Sequence, residues 1–142
     1  MRSADQPSLE VALAKLLGSV DDRGRPVVRI TVVGRDDDVL ATIDTGFNGE
    51  VMIVEGDVAA VGVIARREGR RVELGHGESV TVRSGRLRIG WLGHDREVSV
   101  LVGERREASR KGDPILLIGT RLLSPHLLFI DFDARTVEIE TQ

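Results

Sequence analysis

Cysteine and tyrosine are absent from this chain, tryptophan occurs once, and aromatic residues together make up 3% of it. Without cysteine there is no disulfide, no thiolate metal site and no cysteine nucleophile. That is compatible with a reducing cytoplasm, and a cytoplasmic location is the expectation. So few aromatic rings argue against a platform that stacks nucleic-acid bases. The formal net charge is -3 and the arginines are scattered among acids, so no basic field draws the chain to phosphate polymers or anionic lipid. No apolar run approaches the roughly 20 residues that span a bilayer. The stretch Val11 to Leu17 is broken by Lys15 and preceded by Asp5 and Glu10, which does not suit a secretory signal. Neither nucleic acid nor membrane is an expected partner.

What is present is one domain's worth of chain, 142 residues, with 41% hydrophobic and 30% charged residues, the composition of a soluble globular protein with a single core. Leu9, Ala12, Leu13, Leu16 and Leu17 recur at helical spacing behind a capping Ser8 and stop before Gly18. They predict a helix within an N-terminal extension, residues 1–24, ahead of a domain covering 25–142. That helix would pack on the domain, or serve as an arm for a partner.

The domain reads as strands. Pro26 to Val33, Val39 to Ile43, Val51 to Val54, Arg71 to Leu74, Ser79 to Val82, Arg86 to Leu92, Glu97 to Val102, Ile115 to Ile118, Leu127 to Phe132 and Thr136 to Glu140 are apolar or alternating runs bounded by turn residues. Asp57 reads as the N-cap of a helical turn that Gly62 ends, and Gly119 to Ser124 as a second short helix. Gly103 to Asp113 reads as a densely charged, mobile loop.

The centre of the chain is Val39-Leu40-Ala41-Thr42-Ile43-Asp44-Thr45-Gly46-Phe47-Asn48-Gly49. An apolar strand delivers one carboxylate into a turn bounded by Gly46 and Gly49. A carboxylate at the end of a buried strand loses hydration and needs donors, a cation or a shared proton. That is the posture of a catalytic acid or base, although Asp and Gly also punctuate ordinary turns.

With Asp44-Thr45-Gly46-Phe47-Asn48-Gly49 in front and Ile115-Leu116-Leu117-Ile118-Gly119-Thr120-Arg121-Leu122-Leu123 behind, the chain resembles the retropepsin-like aspartic proteases, in particular the small single-domain prokaryotic members. The resemblance spans roughly residues 25 to 140. It implies a mainly β closed barrel and hydrolysis of peptide bonds by a water held between two aspartates that share a proton. One Asp-Thr-Gly per chain then implies a homodimer with Asp44 supplied twice across a two-fold axis. By the same resemblance Asp44, Thr45 and Gly46 are the catalytic set, with Thr45 stiffening the pair across the axis. Phe47, Asn48 and Gly49 would meet the substrate. Gly75, His76 and Gly77, at the tip of the hairpin between Arg71 and Val82, would form a flap closing on an extended peptide. On residues alone that hairpin is equally an ordinary exposed one.

No cofactor and no metal are expected. His76, His94 and His126 fall in three separate segments without ligand spacing, and Asp36-Asp37-Asp38 lacks the other ligands of a calcium loop. The alternative function is a dimeric binding or scaffold module that keeps the fold and does not cut. A strand-Asp-Thr-Gly in the first half is faintly echoed by strand-Ile-Gly-Thr in the second.

Overall fold

The computed structural model describes residues 14–73 and 77–141, and the order of its elements follows the alternation of the sequence. The strands are β1 (Lys15–Val20), β2 (Pro26–Ile30), β3 (Val39–Ile43), β4 (Val51–Val54), β5 (Ile64–Glu73), β6 (Ser79–Trp91), β7 (His94–Gly103), β8 (Leu116–Ile118), β9 (Leu127–Asp131) and β10 (Thr136–Glu140). A 3-10 turn (Glu55–Asp57) leads into the one-turn helix α1 (Val58–Val61), and α2 (Thr120–Leu123) follows β8. All ten strands join one sheet in the order β5-β6-β7-β4-β8-β3-β2-β1-β10-β9.

Most neighbours are antiparallel; β3 with β8 and β4 with β7 run parallel. The parallel pairs sit in the middle of the order, flanked on both sides by antiparallel pairs. Every second residue of these strands points into the core. Val28, Ile30, Ala41, Ile43, Val51, Ile53, Leu116 and Ile118 are all buried there. Each large apolar side chain removed from water contributes about 1.5–3 kcal/mol, so this alternation drives the fold.

Three expectations are corrected. The barrel does not close: Val32 bridges to Ile89 and curls the sheet, but β5 and β9 stay at opposite ends of the order. Leu16 and Leu17 are not helical. They belong to β1, which is bonded on one side to β2 and on the other to β10, with Gly18 mid-strand between Val28 and Val137. Two ladders of backbone hydrogen bonds outweigh a local helical pattern, since propensity is the weaker preference. The rest of that predicted helix lies outside the described residues. Finally, the charged loop after β7 is fastened to the turn after β4, as described below.

Candidate active site

Asp44 is placed by register. Ala41, Thr42 and Ile43 lie beside Leu116, Leu117 and Ile118 in the parallel β3–β8 pair. The Asp44 N–H then donates to the Ile118 carbonyl at 2.9 Å, extending the ladder by one residue and setting Asp44 beside Gly119. The echo seen in the sequence is therefore a spatial pair. β8 also meets β4 on its other side, and the chain between β3 and β4 loops around this junction.

That loop is held by main-chain groups. Gly46 N–H donates to Asp44 Oδ1 at 3.0 Å and Phe47 N–H to the Asp44 carbonyl at 3.1 Å. From the far side, Gly119 N–H donates to the Glu50 carbonyl (3.0 Å), Thr120 N–H to the Phe47 carbonyl (2.8 Å) and Arg121 N–H to the Gly49 carbonyl (3.2 Å). The N-terminal end of α2 has spare donors, and the Asp44 loop offers the carbonyls that accept from them. Gly119 is required by the fit. A Cβ there would run into the Gly49 carbonyl and lie 2.6 Å from both the Phe47 ring and the Phe47 carbonyl.

Glu50 fastens the outgoing end. Its carboxylate accepts from Ser99 N–H and from Arg96 Nη2, each at 2.8 Å, tying the loop to β7. Sequence reasoning passed over Glu50, because nothing local marks a contact 49 residues away.

Asp44 is half-buried, and Thr45 and Gly46 are exposed beside it. Among the described residues Asp44 Oδ2 and Thr45 Oγ1 have no hydrogen-bond partner. Asn48 is exposed and Gly49 half-buried; the Phe47 ring folds back onto Gly49 and Gly119, filling space that side chains there would otherwise take. Gly75 and His76 lie outside the described residues. Gly77 is described, exposed, with φ +88, a left-handed conformation suited to a hairpin tip between β5 and β6. His94 is exposed at the start of β7, whereas His126 packs on Trp91 with ring centroids 6.2 Å apart. Among the described residues there is no cluster of three or more potential metal ligands.

The pleat extends the site sideways. Ala41 and Ile43 point into the core, so Thr42 and Asp44 share the opposite face, and Leu117 beside Thr42 and Met52 beside Leu117 share it too. On that face is a cavity of about 310 Å³, floored by Thr42, Met52, Val54 and Leu117. Its other wall comes from the loop after β7, through Arg105 and Ser109. Arg25 is at its rim, with Nε 2.7 Å from Asp21 Oδ2. The cavity is apolar at its floor and charged at its edge, the makeup of a site for an apolar side chain on a polar chain.

No family model matches this chain, and no curated protein does either. Solved structures do. One similar to it is a retropepsin-like aspartic protease from Rickettsia conorii, with TM-score 0.60, 15% identity, and 90% of this chain and 91% of that one covered. Another is the EIAV protease complexed with an inhibitor, with TM-score 0.50, 17% identity, and 72% and 88% of the two chains covered. At such identities the likeness speaks for architecture: the chain has the retropepsin-like fold.

Proposed function

We propose that the protein is an aspartic endopeptidase that works as a homodimer. The observation carrying this reading is the posture of Asp44: one carboxylate per chain, at the end of a core strand, fixed by the Gly46 N–H through Oδ1 and with Oδ2 unpartnered among the described residues. A single carboxylate cannot be both the base that takes a proton from water and the acid that polarises the scissile carbonyl. Two copies brought together on a two-fold axis divide the roles, because one proton shared between close carboxyls keeps one ionised and the other neutral.

In this reading Thr45, exposed beside Asp44, reaches the facing loop, and Gly46 keeps the backbone close enough for the two turns to meet. The substrate runs extended across the Asp44 face, with one apolar side chain in the cavity over Met52 and Leu117. The β5–β6 hairpin covers it from above.

The test is cleavage of a diverse peptide library by wild type and Asp44→Asn, read by mass spectrometry, with sedimentation equilibrium on both. The expected result is a dimer whose cleavage falls by about 10²-fold or more in the near-isosteric variant. Equal cleavage by the variant would overturn the mechanism. A folded dimer that cuts nothing would instead make the protein a binding module.

A further inference from the structure

Asp57 is the one charged residue that is buried among the described residues, 4% exposed. It stands at the N-cap position of α1, yet its side chain makes no capping bond there. Instead both oxygens accept from one residue 52 positions away: Ser109 N–H donates to Oδ1 at 2.7 Å and Ser109 Oγ–H to Oδ2 at 2.6 Å.

Ser109 lies in the middle of the strap, residues 104–114, that joins β7 to β8. The strap offers little apolar surface. Residues Glu104 to Ala108 are all exposed, so ordering it needs specific bonds. It is fastened near its start by Gly56 N–H donating to the Arg105 carbonyl at 3.0 Å, and the fit at Gly56 is tight enough that a Cβ there would strike the Glu107 carbonyl. Further on, Arg25 Nη2 is 3.8 Å from Asp113 Oδ1, a weak tie. The Asp57 pair of charge-assisted bonds is therefore the strongest fastening of the strap.

That fastening has a place. Asp57, Arg105 and Ser109 form one wall of the cavity whose floor is Thr42, Met52 and Leu117, on the face that carries Asp44. Thr42 and Asp44 are two residues apart along one strand, roughly 7 Å. A carboxylate used only to fold a loop could sit anywhere along it; this one closes the compartment next to the candidate catalytic group. We infer that Asp57 and Ser109 are positioning residues that set the width of this cavity and so the size of the substrate side chain accepted there. The inference rests on the aspartic-peptidase reading and deepens it. With the latch intact, the strap bounds the compartment at about 310 Å³; with it released, the strap swings outward and the largest side chains are accepted more readily.

The experiment uses the full chain and compares wild type, Ser109→Ala, Asp57→Asn and Ser109→Thr on a peptide series differing at a single position, alanine through leucine and phenylalanine to tryptophan. Hydrogen exchange across residues 104–113 is followed in parallel. In Ser109→Ala and Asp57→Asn the strap should exchange faster and the ratio of kcat/KM for tryptophan over leucine should rise about tenfold, through KM rather than kcat. Ser109→Thr keeps both donors and should retain the wild-type preference. Faster exchange with an unchanged preference would overturn the proposal and leave the latch as a folding contact; unchanged exchange would overturn it at the first step. If wild type cuts no peptide, the peptidase reading fails by itself, and selectivity is then read as anisotropy of the same peptides carrying a fluorophore. A shifted size preference sustains the latch, and an identical one, or no binding by any protein, overturns it.

Discussion

Two loops, the turn that carries Asp44 and the strap after β7, are held by different chemistry. The turn from Asp44 to Glu50 is fastened mainly through backbone groups: Asp44 N–H to the Ile118 carbonyl, and the N–H groups of Gly119, Thr120 and Arg121 to carbonyls of the turn. The strap from residue 104 to 114 is fastened at its middle by one side-chain carboxylate. Backbone bonds persist through most side-chain changes, whereas a carboxylate can be gained or lost in one substitution. The lesson is a division of labour. The turn around the candidate catalytic carboxylate is written into the main chain, and the strap after β7 is left to a side chain.

Two glycines break this comparison open. After removal of the Asp44 carboxylate itself, the largest effect is expected from Gly119→Ala. The new methyl group would meet the Gly49 carbonyl and the Phe47 ring, neither of which can retreat without unfastening the turn. A loss of about 1–3 kcal/mol in urea unfolding should accompany loss of activity. Gly56→Ala introduces the same group against the strap, at the carbonyls of Arg106 and Glu107, both exposed residues. The strap can yield, so the cost should be nearer about 1 kcal/mol, with the Asp44 turn intact and faster exchange confined to 104–113. Equal costs at the two sites would show that the strap is as rigid as the turn.

A smaller effect concerns pH and falls on the turn's side. His126 follows α2, the helix that caps the Asp44 loop, and donates its backbone N–H to the Leu123 carbonyl at 2.7 Å. Burial pushes its imidazole below the ordinary value of 6.5, and the charge of Arg96 pushes the same way. Protonation therefore favours the unfolded chain: the stabilising contribution is complete above 6.5 and is lost as pH falls through the lowered folded-state value. His126→Phe keeps a ring against Trp91 and should flatten part of the decline in stability from about pH 7 to about pH 5. An unchanged slope would mean that other groups govern the acid response.

Much of this was legible in the chain itself. Alternation located the strands around Val51, Arg86, Glu97, Leu127 and Thr136, and Asp44-Thr45-Gly46 with Ile118-Gly119 marked the two segments that meet. The amphipathic run through Leu16 and Leu17 misled, because a period-3.6 pattern in a short segment loses to two flanking strands offering hydrogen bonds. The strap misled for the opposite reason. Its charges suggest solvation, and its fastening depends on a carboxylate 52 residues earlier in the chain.

By itself, then, the sequence determined the mainly β class, the single carboxylate at a strand end and the turn glycines around it, since these rest on local polarity and backbone freedom. Only the tertiary structure decided that Asp44 stands beside Gly119, that Thr42, Met52 and Leu117 line one cavity, and that Asp57 and Ser109, bonded to each other, line it too. Those facts depend on strand register and on contacts between distant segments, which are settled when the whole core packs and not by the residues on either side of each position.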